Sequence, residues 1–475
     1  MAKENTAPLK GTRDFLPQDV RRREHVLAVV RDVYGRYGFE PLETPAMERL
    51  ETLLGKYGEE GDQLIFRVLH RGAELARALD KVRTPASGGP PEAAPDGRAA
   101  FKRDELALAD SALRYDLTVP LARVVAEYQG QLPRFFKRYQ IQPVWRADRP
   151  AAGRFREFYQ CDVDIVGSRD PICEVEVASA VCEVLDRLGF DDYRVRLNHR
   201  ALLRGMVEAA GVPLELEVEA ITELDKLGKA RPEEVGAALE QRGIAGSAAA
   251  KLMGFALDAG AGGSDRERLQ SLAGALSASE AGGRGVAELG KLLSLSEQAP
   301  CGRRLRFDPS LARGLSYYTG PVFEVQVADL AGSLGGGGRY DDLIGMFLRQ
   351  PLPAVGFSLG LERILVVMAE RRMFPDLSAA APIMVLRLEE ATTAEALRVA
   401  SELRSAGIAT ELYPNADKLG KQLQYAEARM ARLVAFVGSR EQAAGQVALK
   451  VMATGEQRLV PRASLVATAR DLLGR

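Results

Sequence analysis

Three arginines in otherwise small or apolar surroundings are the first candidates for chemistry. Arg146 follows the apolar pair Val144-Trp145, Arg313 stands in LARGLSYYTG (311–320), and Arg363 stands in VGFSLGLERIL (355–365). A guanidinium fixed by a scaffold forks onto phosphate oxygens in bidentate fashion. Phosphoryl chemistry asks of a protein mainly positioning and charge stabilisation. Polar companions surround these cations: Asp116 and Thr118 in RYDLTVP (114–120), and Gln160 and Asp164 in FREFYQCDVDIVG (155–167). Acceptors of that kind suit a substrate ammonium, while Asp164 with Tyr317 offers an imidazole an acceptor and a hydroxyl. Residue types alone do not choose imidazole over another polar group.

Each feature has a plain counterpart. A single arginine is usually a solvated surface residue, and a glycine-containing strand-to-helix turn such as VGFSLGLER marks close packing as often as a nucleotide. Phe155 and Phe158 suit the core of a hairpin as well as a stack on adenine. Their co-occurrence in one chain favours a shared site for a triphosphate and a small amino compound.

The positioning elements follow from periodicity. Val26, Val30, Val33, Tyr34 and Tyr37 recur at three-and-four spacing and predict a helix over 19–37, ended by Gly38. FEPLETP then reads as extended, because Pro41 and Pro45 disfavour helix at the residue before them. A further helix is predicted over 62–81, followed by a Pro-, Gly- and Ala-rich loop over 84–99. Residues 200–300 carry helical periodicity without strand-like alternation. GGGGRYDDL (335–343) reads as a turn bordering the site, after the strand PVFEVQV. From Ala381 strands alternate with helices, which predicts a compact α/β domain with a mostly parallel core.

At 475 residues the chain suits two or three domains. No apolar run approaches the roughly 18 to 20 residues of a membrane span, and MAKENTAPLK lacks the apolar core of a secretion signal. Cytoplasmic residence is the expectation. A net charge of -1 excludes a global pull on nucleic acid and leaves any RNA contact to local basic patches. Cys161, Cys173, Cys182 and Cys301 form no Cys-x-x-Cys pair, and His25, His70 and His199 are scattered. Reduced thiols and no protein-held metal are expected.

RYDLTVP, FYQCDVDIVG, ARGLSYYTG and GLER, in this order, resemble the class II histidyl-tRNA synthetases, in particular the branch with DLTVP rather than RPEGT. KGTRDFLP (10–17), GGGGRYDDL and DKLGKQLQYAEARM (417–430) add to the resemblance. It implies an α/β multidomain fold: an antiparallel-sheet catalytic domain, a helical insertion and a C-terminal α/β anticodon-binding domain. The boundaries implied are 1–198 and 303–372 for the catalytic parts, 199–302 for the insertion, 373–380 for a linker and 381–475 for the last domain.

The resemblance also implies roles. Asp116, Thr118 and Gln160 would hold the ammonium of histidine and Asp164 and Tyr317 its ring, with Tyr318 lining the pocket and Leu117 among the histidine-binding residues. Arg146 would clamp the α-phosphate, and Arg313 would sit between the substrate carboxylate and that phosphate as the two catalytic arginines. Arg156, Phe158 and Arg363 would hold the rest of ATP, which enters with Mg2+. Arg149 and Arg154 would meet the acceptor end of tRNA(His), and Lys418, Lys421 and Gln422 its anticodon loop. The segment 19–50 looks like the class II dimerisation motif and implies a homodimer. One position departs from the family: RGLSYY has Ser316 where the usual pattern has aspartate, so Arg313 loses a charged neighbour. A regulatory paralogue that binds histidine and controls ATP phosphoribosyltransferase is the alternative. Such paralogues generally lose the catalytic arginines and the C-terminal domain, and this chain has both.

Overall fold

The computed structural model describes residues 6–83, 108–151, 153–228, 230–258, 263–312, 317–328, 330, 332–348, 350–375, 377 and 381–474, without the side chains of 58–60, 81–83, 228 and 258. The loop 84–99, Arg313, Ser316 and part of the 373–380 linker lie outside them. The chain divides into two compact units, Met1–Met373 and Phe374–Arg475.

In the first unit the strands are β1 (Glu40–Pro41), β2 (Met47–Arg49), β3 (Arg67–Val68), β4 (Ser111–Leu113), β5 (Phe136–Trp145), β6 (Glu157–Val166), β7 (Arg194–His199), β8 (Leu305–Phe307), β9 (Pro321–Gln326), β10 (Ser333–Arg339) and β11 (Ala354–Gly360). Eight of them form one sheet in the order β1-β5-β6-β11-β10-β9-β7-β8, while β2, β4 and β3 make a small separate sheet. Within the large sheet only the outermost pairs β1–β5 and β7–β8 are parallel. The long β5–β6 ladder sets Arg138 opposite Asp164 and Gln140 opposite Asp162.

The helix Pro17–Arg36 begins with proline in its first turn, beside Asp19, and ends with Arg36, an arrangement that complements the helix dipole. Its buried stripe, Val26, Val30, Val33 and Tyr34, packs against the helices Ile172–Arg187 and Leu361–Glu370. Gly38 ends it at φ 75°, a left-handed conformation open to glycine.

After His199 the chain leaves the sheet for a run of helices and returns at Leu305, where β8 pairs with β7. His199 marks the exit. Its Nδ1 accepts the Ala201 N–H at the start of the helix Arg200–Ala210, so its Nε2 carries the proton shared with Glu288 at 2.9 Å.

Three expectations need correction. The predicted helix over 62–81 is broken: helix Gly58–Gln63 is followed by β3 and then by helix Gly72–Arg83. Of the described side chains of that last helix only Ala78 is buried. GGGGR is a central strand, β10, rather than a turn. A Cβ at Gly335 would collide with the Ser358 carbonyl and one at Gly337 with the Gly356 carbonyl, so glycine here permits close backbone approach.

The second unit holds β12 (Ile383–Arg387), β13 (Thr410–Leu412), β14 (Leu433–Val437), β15 (Gln446–Val451) and β16 (Gln457–Pro461), in the order β13-β12-β14-β15-β16. Its core is mixed, not mostly parallel. β12 pairs in parallel with β13 and β14, but β14–β15 and β15–β16 are antiparallel. The short links after β14 and β15 cannot make the dozen-residue crossover that parallel pairing needs. Among the described residues no helix is long and apolar enough to cross a membrane.

Candidate active site

Strand alternation builds the floor of a cavity of about 1070 Å³ in the first unit. Gln160, Asp162 and Asp164 fall on one face of β6 and all line it. Opposite them in register on β11 stand Gly360, Ser358 and Gly356. A Cβ at Gly356 would collide with Asp164 Oδ1, so this glycine makes room for the carboxylate.

Asp164 is buried beneath the cavity. The Arg138 guanidinium lies 2.9 Å from its Oδ2, and the Tyr340 hydroxyl donates to its Oδ1. Burial still holds its carboxyl above the usual range, against the pull of Arg138 and Tyr340. Gln160 donates to the Ser358 hydroxyl at 2.8 Å, and its Oε1 has no hydrogen-bond partner among the described residues.

RYDLTVP forms the adjoining wall. Arg114 is buried and donates to the carbonyls of Pro143 (2.8 Å), Thr44 (2.6 Å) and Pro45 (3.1 Å), which ties the extended segment after β1 to β5. Asp116 Oδ1 accepts from the Tyr57 hydroxyl at 2.9 Å and from Val119 N–H at 3.1 Å, in the first turn of helix Thr118–Glu127. Burial raises its carboxyl despite these donors. Thr118 lines the cavity together with Tyr317, whose ring meets Tyr318 edge-on at 5.0 Å and Tyr340 at 6.1 Å.

The cations stand elsewhere on the wall. Arg146 directs Nε to the Tyr115 carbonyl at 3.0 Å, and its guanidinium lies 4.3 Å from the Tyr115 ring centre and 5.2 Å from that of Phe158. Its terminal nitrogens make no hydrogen bond among the described residues. Arg363, in the first turn of Leu361–Glu370, donates to the Ser333 carbonyl. Beside it Glu362 accepts the Tyr159 N–H at 2.9 Å, and burial pushes its carboxyl up to about 7. Cations and unsatisfied acceptors in one cavity let it hold a polyanion next to an ammonium.

Of the expected site residues, Asp116, Thr118, Arg146, Arg154, Phe158, Gln160, Asp164, Tyr317, Tyr318 and Arg363 all line this cavity. Three do not behave as expected. Leu117 is fully buried in the core, and its carbonyl accepts from Arg138 and from the Leu121 N–H, both at 3.2 Å. Arg156 lies off the cavity lining, bound to the carbonyls of Asp148 (3.0 Å) and Lys10 (3.3 Å), with Gly11 packed against its stem. Gln422 is 0% exposed, bonded to the N–H and carbonyl of Arg387 and to the Asp417 carbonyl, so it fastens a helix and has no surface for RNA.

Arg149 is exposed in the loop between β5 and β6, and Arg154 there pairs with Asp148 at 2.7 Å. In the second unit Lys418 and Lys421 are exposed, the latter 3.0 Å from Asp417. Sequence reasoning missed Asp162, Glu324 and Arg196, which also line the cavity, with Arg196 2.9 Å from Glu324. The alternation in QCDVD was the available signal for Asp162.

Comparison with known proteins was consistent with this geometry. A family model described as Histidyl-tRNA synthetase matches residues 11–80 and 93–364, and one described as Anticodon binding domain matches 382–472. Histidine--tRNA ligase of Porphyromonas gingivalis is 42% identical over 458 residues, covering 95% of this chain and 96% of that protein. The enzyme of the same name from Gloeobacter violaceus is 41% identical, covering 98% and 97%. Among solved structures, a histidyl-tRNA synthetase from Nostoc sp. superposes with a TM-score of 0.79 at 29% identity, over 99% of this chain and 100% of that one. A Bacillus halodurans protein titled ATP phosphoribosyltransferase regulatory subunit/histidyl-tRNA synthetase shares the fold at 21% identity and a TM-score of 0.71, over 92% and 99%.

Proposed function

The chain belongs to the histidyl-tRNA synthetase family, and from that membership we propose how its cavity performs the family's reaction. It is a class II ligase that activates L-histidine with ATP and transfers the histidyl group to tRNA(His). The histidine carboxylate attacks the α-phosphorus of ATP, pyrophosphate leaves, and the 3′-terminal ribose hydroxyl of the tRNA then displaces AMP from the acyl carbon. The regulatory alternative is not favoured: relatives named as ligases match along the whole chain.

One observation carries the residue assignment. The terminal nitrogens of Arg146 make no hydrogen bond among the described residues and stand in the same cavity as Gln160, Asp164 and Tyr317. Arg146 is therefore assigned to the α-phosphate, with Arg313 beside it at the substrate carboxylate. Phe158 and Arg363 take the two faces of the adenine, Arg363 also reaching the γ-phosphate. Asp116, Thr118 and Gln160 receive the ammonium, and Asp164 and Tyr317 the imidazole, with Tyr318 as a wall. ATP enters as its Mg2+ salt, the metal being part of the substrate; among the described residues no group of three or more His, Cys, Asp or Glu gathers to hold one.

Arg149 and Arg154 are assigned to the acceptor end of the tRNA, and Lys418 and Lys421 to the anticodon side, in keeping with the anticodon-domain match over 382–472. The departure of the chain from the sheet after His199 and its return at Leu305 support an insertion over 199–302. A homodimer formed through residues 19–50 and residence in the cytoplasm complete the reading. The test is ATP–pyrophosphate exchange by the purified chain. Exchange that depends on histidine and on none of the other amino acids is expected, and a folded protein without it sinks the proposal.

A further inference from the structure

Asp162 has no role in the assignments above, yet it has the features of a substrate ligand. It stands on β6 between Gln160 and Asp164, lines the same cavity and is 2% exposed. Its Oδ1, like the Oε1 of Gln160, lacks a hydrogen-bond partner among the described residues. A buried acceptor left in that state costs free energy until something supplies the missing donor.

The charges around it show what that donor should be. From β5 Arg138 draws the carboxyl down, but this guanidinium is already paired with Asp164 at 2.9 Å. From its own strand Asp164 repels it, from the RYDLTVP segment Asp116 repels it, and from β11 the Ser358 hydroxyl favours its charge. Arg138 is the one cation among the groups acting on Asp162, and the further cation of the cavity, Arg146, draws down Asp116 instead. A second positive charge is wanted, small enough for a buried floor and rich in N–H donors.

We propose that Asp162 is a direct ligand of the amino-acid substrate, its carboxylate receiving the α-ammonium together with the carboxamide oxygen of Gln160. The inference rests on the histidine-activating reading above. Three ammonium donors then meet Asp162, Gln160 and Asp116, whose Oδ1 is already engaged by Tyr57 and Val119. In the empty site burial pushes Asp162 up to about 7, so near neutrality its carboxyl is protonated part of the time. The ammonium takes the place of that proton, which leaves to solvent as histidine binds.

The experiment compares histidine with imidazole-4-propionate, which keeps ring and carboxylate and lacks the amine. In pyrophosphate exchange Asp162→Asn should raise KM for histidine roughly ten- to hundredfold, change kcat far less, and leave inhibition by the desamino compound unweakened. An unchanged KM, or equal weakening of both compounds, overturns the proposal, the latter because it reports a disturbed floor. Independently of any variant, calorimetry of wild-type protein at pH 7 in two buffers of different ionisation enthalpy should detect more proton release with histidine than with imidazole-4-propionate once each ligand's own ring titration is subtracted. Equal proton exchange with both compounds overturns it as well. Wild-type protein without histidine-dependent exchange would instead remove the functional reading, and this proposal with it.

Discussion

Arg138 and Asp164 form a 2.9 Å ion pair whose side chains are 0% and 3% exposed. The same guanidinium donates to the Leu117 carbonyl and to Gln140 Oε1, both at 3.2 Å. One buried cation thus joins the strand that carries Gln160, Asp162 and Asp164 to the segment that carries Asp116 and Thr118. Removing one partner of a buried pair leaves the other charge uncompensated.

Arg138→Met should therefore destabilise the first unit by about 3–5 kcal/mol. Urea unfolding measures it. A loss below about 1 kcal/mol would mean that the floor tolerates an unpaired carboxylate, and the pair would lose its assigned importance.

Tyr340→Phe isolates the other partner of Asp164. The hydroxyl holds the carboxyl down against burial, so its loss raises that group further. A carboxyl with a raised pKa is protonated as pH falls, and a protonated Asp164 is a poorer acceptor for a ring N–H. KM for histidine should rise about tenfold at the acidic end of the working range and recover as pH is raised. A loss of equal size at every pH would show that Tyr340 acts by packing alone.

How much of this was readable beforehand differs from residue to residue. The helix Pro17–Arg36 was legible, because its buried stripe follows from spacing within one segment. That Gln160 and Asp164 belong to one site was expected through the resemblance, and they do line one cavity, but Asp162 needed the strand phase: its side chain points to the cavity because those of Gln160 and Asp164 do. Arg138 sits in a Lys-Arg pair that reads as surface; it is buried because register sets it opposite Asp164, 26 positions on. The glycines of β10 signal a turn when read locally. Their actual cause is the backbone of β11 pressed against them, a tertiary fact that no local pattern encodes.

Gln422 was misread for a related reason. Lys418, Lys421 and Tyr425 suggested a solvated face, yet Gln422 turns inward and replaces the missing backbone partners of Arg387 at the end of β12. Gln422→Leu should leave that N–H and carbonyl unsatisfied in the core and cost the second unit roughly 2–4 kcal/mol. Thermal unfolding of the full chain should show the transition of that unit shifted downward while histidine-dependent pyrophosphate exchange is retained below it. An unshifted transition would return Gln422 to the surface role first expected.

Glu362 gives the clearest dependence on pH. Its carboxyl is raised from an ordinary value of 4.5 to about 7, first by burial, while the Tyr159 N–H and Arg13, 3.9 Å away, work against the rise. Between those two values the folded chain binds more protons at this group than the unfolded chain does. The stability it contributes is therefore fully present below about pH 4.5 and is lost as pH rises through 7. Glu362→Gln keeps an acceptor for the Tyr159 N–H and cannot ionise, so it escapes the loss. The variant and the wild type should unfold together near pH 4.5 and diverge as pH rises, the variant becoming more stable by about 2–3 kcal/mol at pH 8. A gap that stays constant from pH 5 to 8, or that favours the wild type at the alkaline end, would mean Glu362 is ionised throughout and that Arg13 compensates its charge more fully than a 3.9 Å separation suggests.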